Sequence, residues 1–170
     1  TVETVKYSLD RALQSPGYMR FIMPRMLRIS KPEDIVVRDD STIVINMAGP
    51  TPPQMPLNLF SLMTITALDP ELIKPNATAA DPWAADWAKR NAAGSGPFEL
   101  VKNTPGVEVV LQARKDHWRG APAFQQVVFK FVPNEADRVL LLKRKAVDIV
   151  TGRPGLSPRN VKSLEGEAGL

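Results

Sequence analysis

Gly94-Ser95-Gly96-Pro97-Phe98-Glu99-Leu100-Val101-Lys102-Asn103-Thr104-Pro105-Gly106-Val107-Glu108-Val109-Val110-Leu111 is the stretch whose reading decides the fold of this chain. Its first five residues hold two glycines and a proline. Glycine permits positive φ or close approach of another chain, and proline fixes φ and removes a donor. Phe98 and Leu100, then Val107, Val109 and Leu111, recur with period two, the mark of a half-buried strand. Thr104-Pro105-Gly106 joins the two runs. A tight entry into a β-hairpin over 98–102 and 107–113 is therefore expected. The opening turn is expected to be a structural element and not a ligand contact.

Working outward, both sides of the hairpin carry helices as well as strands. On the N-terminal side, Thr1 is placed to cap a helix with Val2, Val5, Leu9, Ala12 and Leu13 on one stripe, ended by Ser15-Pro16-Gly17. A Met- and Arg-rich stretch runs over 18–29. Residues 35–38 and 42–47 read as two strands joined by an Asp39-Asp40-Ser41 turn, since Asp side chains bond their own backbone there. A helix is expected over 54–63, with Pro53 in its first turn, then irregular chain over 67–70 and 73–80. Asp81-Pro82 should open a short helix with Trp83, Ala84 and Trp87 on one face. On the C-terminal side, 126–132 alternates strongly, with Val127, Phe129 and Phe131 together. Asn134 caps a helix, 147–150 reads as a short buried strand, and Ser157-Pro158 starts a last helix. The fold class is therefore mixed, α/β with antiparallel hairpins (α+β), with one β-α-β crossover near the end.

The bulk numbers suit one compact domain or two small lobes: 170 residues, 44% apolar and 24% charged. Sixteen prolines are about twice the average usage of roughly 5%, but they are scattered and punctuate turns. The net charge is +4. Bases and acids are interspersed over 135–145, while Arg20, Arg25, Arg28 and Lys31 form a second cluster alternating with Met23, Met26 and Ile29. Such a pattern usually marks a solvated helix face, so nucleic acid is not an expected partner. No apolar run approaches the ~18 residues of a membrane span. The chain opens directly on a helix start, which suggests an internal fragment of a longer protein.

Chemistry is sparse. Without cysteine there is no thiolate ligand or Cys nucleophile. The single histidine, His117, lacks the convergent partners a metal site needs, and reads as part of a surface turn beside Trp118. Asp39 and Asp40 are turn formers, because neighbours in a strand point to opposite faces. Gly94-x-Gly96 leads into a strand, not the helix N-terminus that phosphate cradling uses. No Gly-x-Ser-x-Gly elbow is present, so a serine triad is not expected. Trp83 and Trp87, at i and i+4, read as core packing. No cofactor or metal is expected, and the chain does not read as an enzyme.

Taken together, the punctuation resembles that of a known family. Thr1-Val2-Glu3-Thr4-Val5-Lys6-Tyr7-Ser8-Leu9-Asp10-Arg11 is similar to the first-helix pattern T-A-x-D-V-x-Y-S-L-x-R of the family 5 extracellular solute-binding proteins. These are the oligopeptide-, dipeptide- and nickel-binding proteins of ABC importers. Val37-Arg38-Asp39-Asp40-Ser41-Thr42-Ile43-Val44-Ile45 resembles their V-x-D-D-x-T-V-x-I hairpin, followed by the proline break Pro50-Thr51-Pro52. Gly94-Ser95-Gly96-Pro97-Phe98 resembles G-T-G-P-Y, and Lys115-Asp116-His117-Trp118-Arg119-Gly120-Ala121-Pro122 resembles N-x-x-Y-W-x-G-x-P. Val147-Asp148-Ile149 resembles the G-E-V-D-I strand, except that Lys145 stands where glycine is usual, so that turn is expected to be built differently.

The resemblance implies part of a periplasmic binding protein type II fold. Residues 1–65 would belong to the extra domain of the large members and 66–170 to the first ligand-binding lobe. The implied function is capture of a peptide or similar small solute by lobe closure, with delivery to an ABC permease in the inner membrane. Nickel complexes, opines and oligosaccharides are other ligands of the family. The parent would lie in the periplasm or be lipid-anchored outside the cytoplasmic membrane, as a monomer. The stretch Leu62-Met63-Thr64-Ile65 resembles one that lines the cleft in some members, which makes these four the ligand-binding candidates; buried core is the other reading. A ligand-sensing or protein-interaction domain on the same scaffold is the alternative function.

Overall fold

The computed structural model describes residues 1–61, 66–152 and 155–167. Helix α1 spans Val2–Gln14, and the Thr1 hydroxyl accepts the Thr4 N–H at 3.3 Å. Its buried residues are Ser8, Leu9 and Leu13, while Val5 of the expected stripe is exposed. After Ser15-Pro16-Gly17 the chain turns into α2, Met19–Ile22, which continues as a π-helix over Met23–Leu27. The widened turn closes with the Ile29 N–H donating to the Met23 carbonyl and with Arg28 left-handed at φ 55°.

Strands β1 (Ile35–Asp39) and β2 (Thr42–Ile45) form the expected antiparallel hairpin, in register Ile35 to Ile45 and Val37 to Ile43. Its turn is built by Asp39, whose carboxylate accepts both the N–H and the hydroxyl of Ser41 at 3.0 Å. These bonds, the backbone N–H foremost, hold the Asp39 carboxyl below its ordinary value. Helix α3 covers Gln54–Ser61. Leu9, Leu13, Met19, Met23, Leu27, Ile29, Ile35 and Leu59 pack into one core. Each such buried side chain contributes about 1.5–3 kcal/mol.

Residues 67–80 depart from expectation. Asp69 caps a helical turn, α4 (Pro70–Ile73), by accepting the Glu71 N–H at 2.9 Å, and a 3-10 turn follows over Lys74–Asn76. Asp69-Pro70 is a helix start of the same kind as Asp81-Pro82. At Asp81 itself the helix begins later than expected: α5 covers Ala85–Ala88, and the Asp81 carboxylate reaches forward to accept the Asp86 N–H at 2.9 Å. Ile73, Ala84 and Ala93 form a second small core, with Tyr7, Leu68 and Trp87 against it. Trp83 packs on the Tyr7 ring at 5.6 Å.

Strands β3 (Phe98–Thr104), β4 (Glu108–Ala113) and β5 (Gln126–Lys130) make one antiparallel sheet in chain order. Gly106 turns the first hairpin at φ 73°. Asn134 caps α6 (Glu135–Lys143) by accepting the Ala136 N–H, and Ser157 caps α7 (Pro158–Leu164). Polar ties join the two: Arg138 donates to the Val132 and Pro133 carbonyls at 2.7 Å and to Gly155 at 3.0 Å, and Glu135 accepts the Ser157 N–H. No described residue beyond Ala93 is buried.

The expected strand over 147–150 is a correction. These residues are not a strand, and Ile149 is 76% exposed. A strand exists through its ladder, and none of the described strands runs beside this segment. In the neighbouring turn Lys145 takes φ 54°, the left-handed conformation that glycine adopts at lower cost, so the lysine fills a glycine-type position.

Candidate functional site

The strand-opening turn forms one wall of a concavity of about 570 Å³. Gly94 is fixed from behind by an antiparallel bridge to Leu68, and the Asp69 N–H donates to the Ala93 carbonyl at 2.8 Å. Leu68 is held in turn by α1, where the buried Ser8 hydroxyl accepts the Leu68 N–H at 2.8 Å and donates to the Thr4 carbonyl at 2.7 Å. On the other side, the Arg114 N–H donates to the Pro97 carbonyl at 2.9 Å, which joins the turn to the end of β4.

The two glycines differ from expectation. Neither Gly94 nor Gly96 has positive φ, and a Cβ on either would meet nothing within 4 Å. Their effect is to leave two positions of this wall without side chains. Pro97 and Phe98 continue the same wall.

Facing the turn stand Arg114, His117, Trp118 and Arg119. Arg114 lies 3.7 Å from the Glu99 carboxylate, and its Nε is buried without a hydrogen-bond partner. Arg119 stacks its guanidinium on the Trp118 ring, 4.5 Å from the centroid, while Trp118 remains 73% exposed. His117 is a turn residue, as expected: its Nδ1 accepts the Arg119 N–H at 3.3 Å. The concavity thus offers two guanidiniums and an open indole face, groups that hold a carboxylate or a planar solute by charge-assisted hydrogen bonds and stacking.

The four ligand-binding candidates, Leu62, Met63, Thr64 and Ile65, lie outside the described residues. The concavity was not anticipated as a site. The signal available was Arg114 directly after an alternating strand and Arg119 beside an aromatic in a polar turn. Trp83 and Trp87 are placed elsewhere, against Tyr7 and the second core. Among the described residues no group of three or more His, Cys, Asp or Glu side chains could hold a metal ion, and no helix is long and apolar enough to cross a membrane.

Comparison with known proteins supplies the context. A family model described as bacterial extracellular solute-binding proteins, family 5 Middle, matches residues 1–168. The chain is 30% identical over 156 residues to the probable D,D-dipeptide-binding periplasmic protein DdpA of Escherichia coli K12, covering 91% of this chain and 28% of that protein. It superposes on the periplasmic binding protein DppA of Helicobacter pylori, solved with the peptide STSA, with TM-score 0.74 and 22% identity over 96% of this chain and 32% of that one. HbpA2 of Haemophilus parasuis gives TM-score 0.75 at 18% identity, covering 98% and 32%. The described fold is therefore part of a type II periplasmic binding fold, and the chain spans about a third or less of the relatives it matches. With a family match across nearly its whole length, the chain belongs to the bacterial extracellular solute-binding proteins, family 5.

Proposed function

We propose that this chain is part of the solute-binding component of a bacterial ABC importer, which captures a peptide or similar small solute by closing two lobes over it and delivers it to a membrane permease. The family match over residues 1–168 carries this reading. Its ligand class is supported by the dipeptide-binding name of the E. coli relative and by the peptide bound to the H. pylori protein. Residues 1–65 belong to the extra domain and 66–170 to the first lobe, and Leu62, Met63, Thr64 and Ile65 remain candidates for a wall of the ligand cleft. The guanidiniums of Arg114 and Arg119, with Trp118, suit the carboxylate of such a solute.

The mechanism is hinge closure, with no bond made or broken. The protein is not an enzyme, acts as a monomer in the periplasm or on a lipid anchor, and does not engage nucleic acid. The test is a thermal-shift titration of the complete gene product that carries this chain against di- and oligopeptides. A bound peptide at a hundred times its Kd stabilises the folded state by about 2.7 kcal/mol, and Tm rises with concentration. A Tm indifferent to every peptide tried, or hydrolysis of the peptides, would sink the proposal.

A further inference from the structure

A second surface lies on the solvent side of a helix. From Arg11 to Pro32 the chain carries Arg11, Arg20, Arg25, Arg28 and Lys31 and not one Asp or Glu. The helix over 19–27 turns Met19, Met23 and Leu27 into the core. Its other side shows Tyr18, Phe21 and Arg25, at helical spacing, with Arg20 alongside. Tyr18 is 68% and Phe21 58% exposed. The Arg25 guanidinium sits 5.6 Å from the Phe21 ring centroid, and its NH1 donates to the Phe21 carbonyl at 3.4 Å. Among the described residues no ion pair neutralises Arg20, Arg25 or Arg28.

We infer that this face rests on an anionic lipid surface. Guanidiniums without an ion-pair partner, with aromatic rings between them, stand on the solvent side of a helix whose apolar side is held in the protein core. They present positive charge and ring edges that an anionic headgroup layer can meet. The alternative occupant, an acidic protein, fits less well on size. Nine helical residues are about 14 Å long, and a strip of that length about 10 Å wide is far below the ~800 Å² per partner of a stable protein interface. Lipid association has no such threshold: each basic side chain near an anionic leaflet adds its own increment, and the ring tips enter the headgroup layer. This inference stands apart from solute capture, and neither depends on the other.

The test is co-sedimentation of the full chain with phosphatidylglycerol-containing vesicles and with pure phosphatidylcholine vesicles at low salt. The wild type is expected to sediment with the first and not the second. The double variant R20E/R25E should bind at least about tenfold more weakly, and Phe21→Ser should weaken binding at unchanged charge. K162E, on the exposed side of α7, should bind as the wild type does, and circular dichroism checks that each variant is folded. No binding to the anionic vesicles overturns the inference. So does equal binding to both, or indifference to the Arg20 and Arg25 reversal. Insensitivity to Phe21→Ser with full competition by soluble polyglutamate would assign the face to an acidic polymer and overturn the lipid reading.

Discussion

Replacing Ser8 by alanine removes one oxygen that holds the candidate site to the rest of the chain. The Ser8 hydroxyl is buried in α1; it accepts the Leu68 N–H at 2.8 Å and donates to the Thr4 carbonyl at 2.7 Å. Leu68 carries the bridge to Gly94. In Ser8→Ala the Thr4 carbonyl keeps its helical role, but the Leu68 N–H loses this partner. The bond is part-buried, so the unsatisfied donor costs about 1–2 kcal/mol, toward the lower end of the range for buried groups, and alanine's better helix propensity returns up to about 0.5 kcal/mol. The net loss is about 0.5–2 kcal/mol. Urea unfolding with a slope of about 2 kcal/mol per molar places the midpoint about 0.3–1 M lower. Ser163→Ala is the control, since its hydroxyl makes one exposed bond within α7 and its change should stay within about 0.5 kcal/mol. If Ser8→Ala unfolds at the wild-type midpoint, the bond to Leu68 does not hold the site as described.

Other perturbations separate the two halves of the chain. Leu27 is fully buried and Leu140 is 43% exposed, so Leu27→Ala should cost about 2–5 kcal/mol and Leu140→Ala less than about 1.5 kcal/mol; equal costs would contradict the placement of the core. Lys145→Gly relieves a left-handed residue, worth about 1–2 kcal/mol, against about 0.4–1 kcal/mol of unfolded-state entropy. Its Tm should therefore rise above that of Lys145→Ala, and a lower Tm would refute the turn geometry. Glu135 is held below its ordinary value, first by the Ser157 N–H. A depressed carboxylate contributes stability above its unfolded pKa, and that stability is lost as pH falls through the folded one. Urea midpoints taken from about pH 6 down to about pH 3 should fall less for Glu135→Gln than for the wild type; parallel profiles would remove the Glu135 link between α6 and α7.

Much of the fold is legible because it is written locally. The Thr1, Asn134 and Ser157 caps and the Asp39 turn rest on contacts within a few residues, and the period-two alternation of β3, β4 and β5 marks them as strands before their partners are known. What escaped depends on distant partners or on sparse signal. Residues 147–150 have the composition of a strand, but composition does not supply a neighbour. Ser8 reads as one polar residue in a helix, and its role appears only when Leu68 arrives from sixty positions away. The Asp69-Pro70 start is written locally, but the single helical turn that follows it is too short for an apolar period to mark. Arg114 and Arg119 carry no motif; they converge on the concavity because the end of β4 binds back to Pro97. Gly94 and Gly96 point the other way, since their pattern located the hairpin although neither uses the freedom that made it conspicuous.

Solute capture by lobe closure is the central claim, and small-angle X-ray scattering of the complete gene product, with and without a peptide shown to shift its Tm, tests it most directly. The account predicts a smaller radius of gyration with peptide, reversed when the peptide is dialysed away. Scattering curves that superpose with and without a saturating peptide would contradict it.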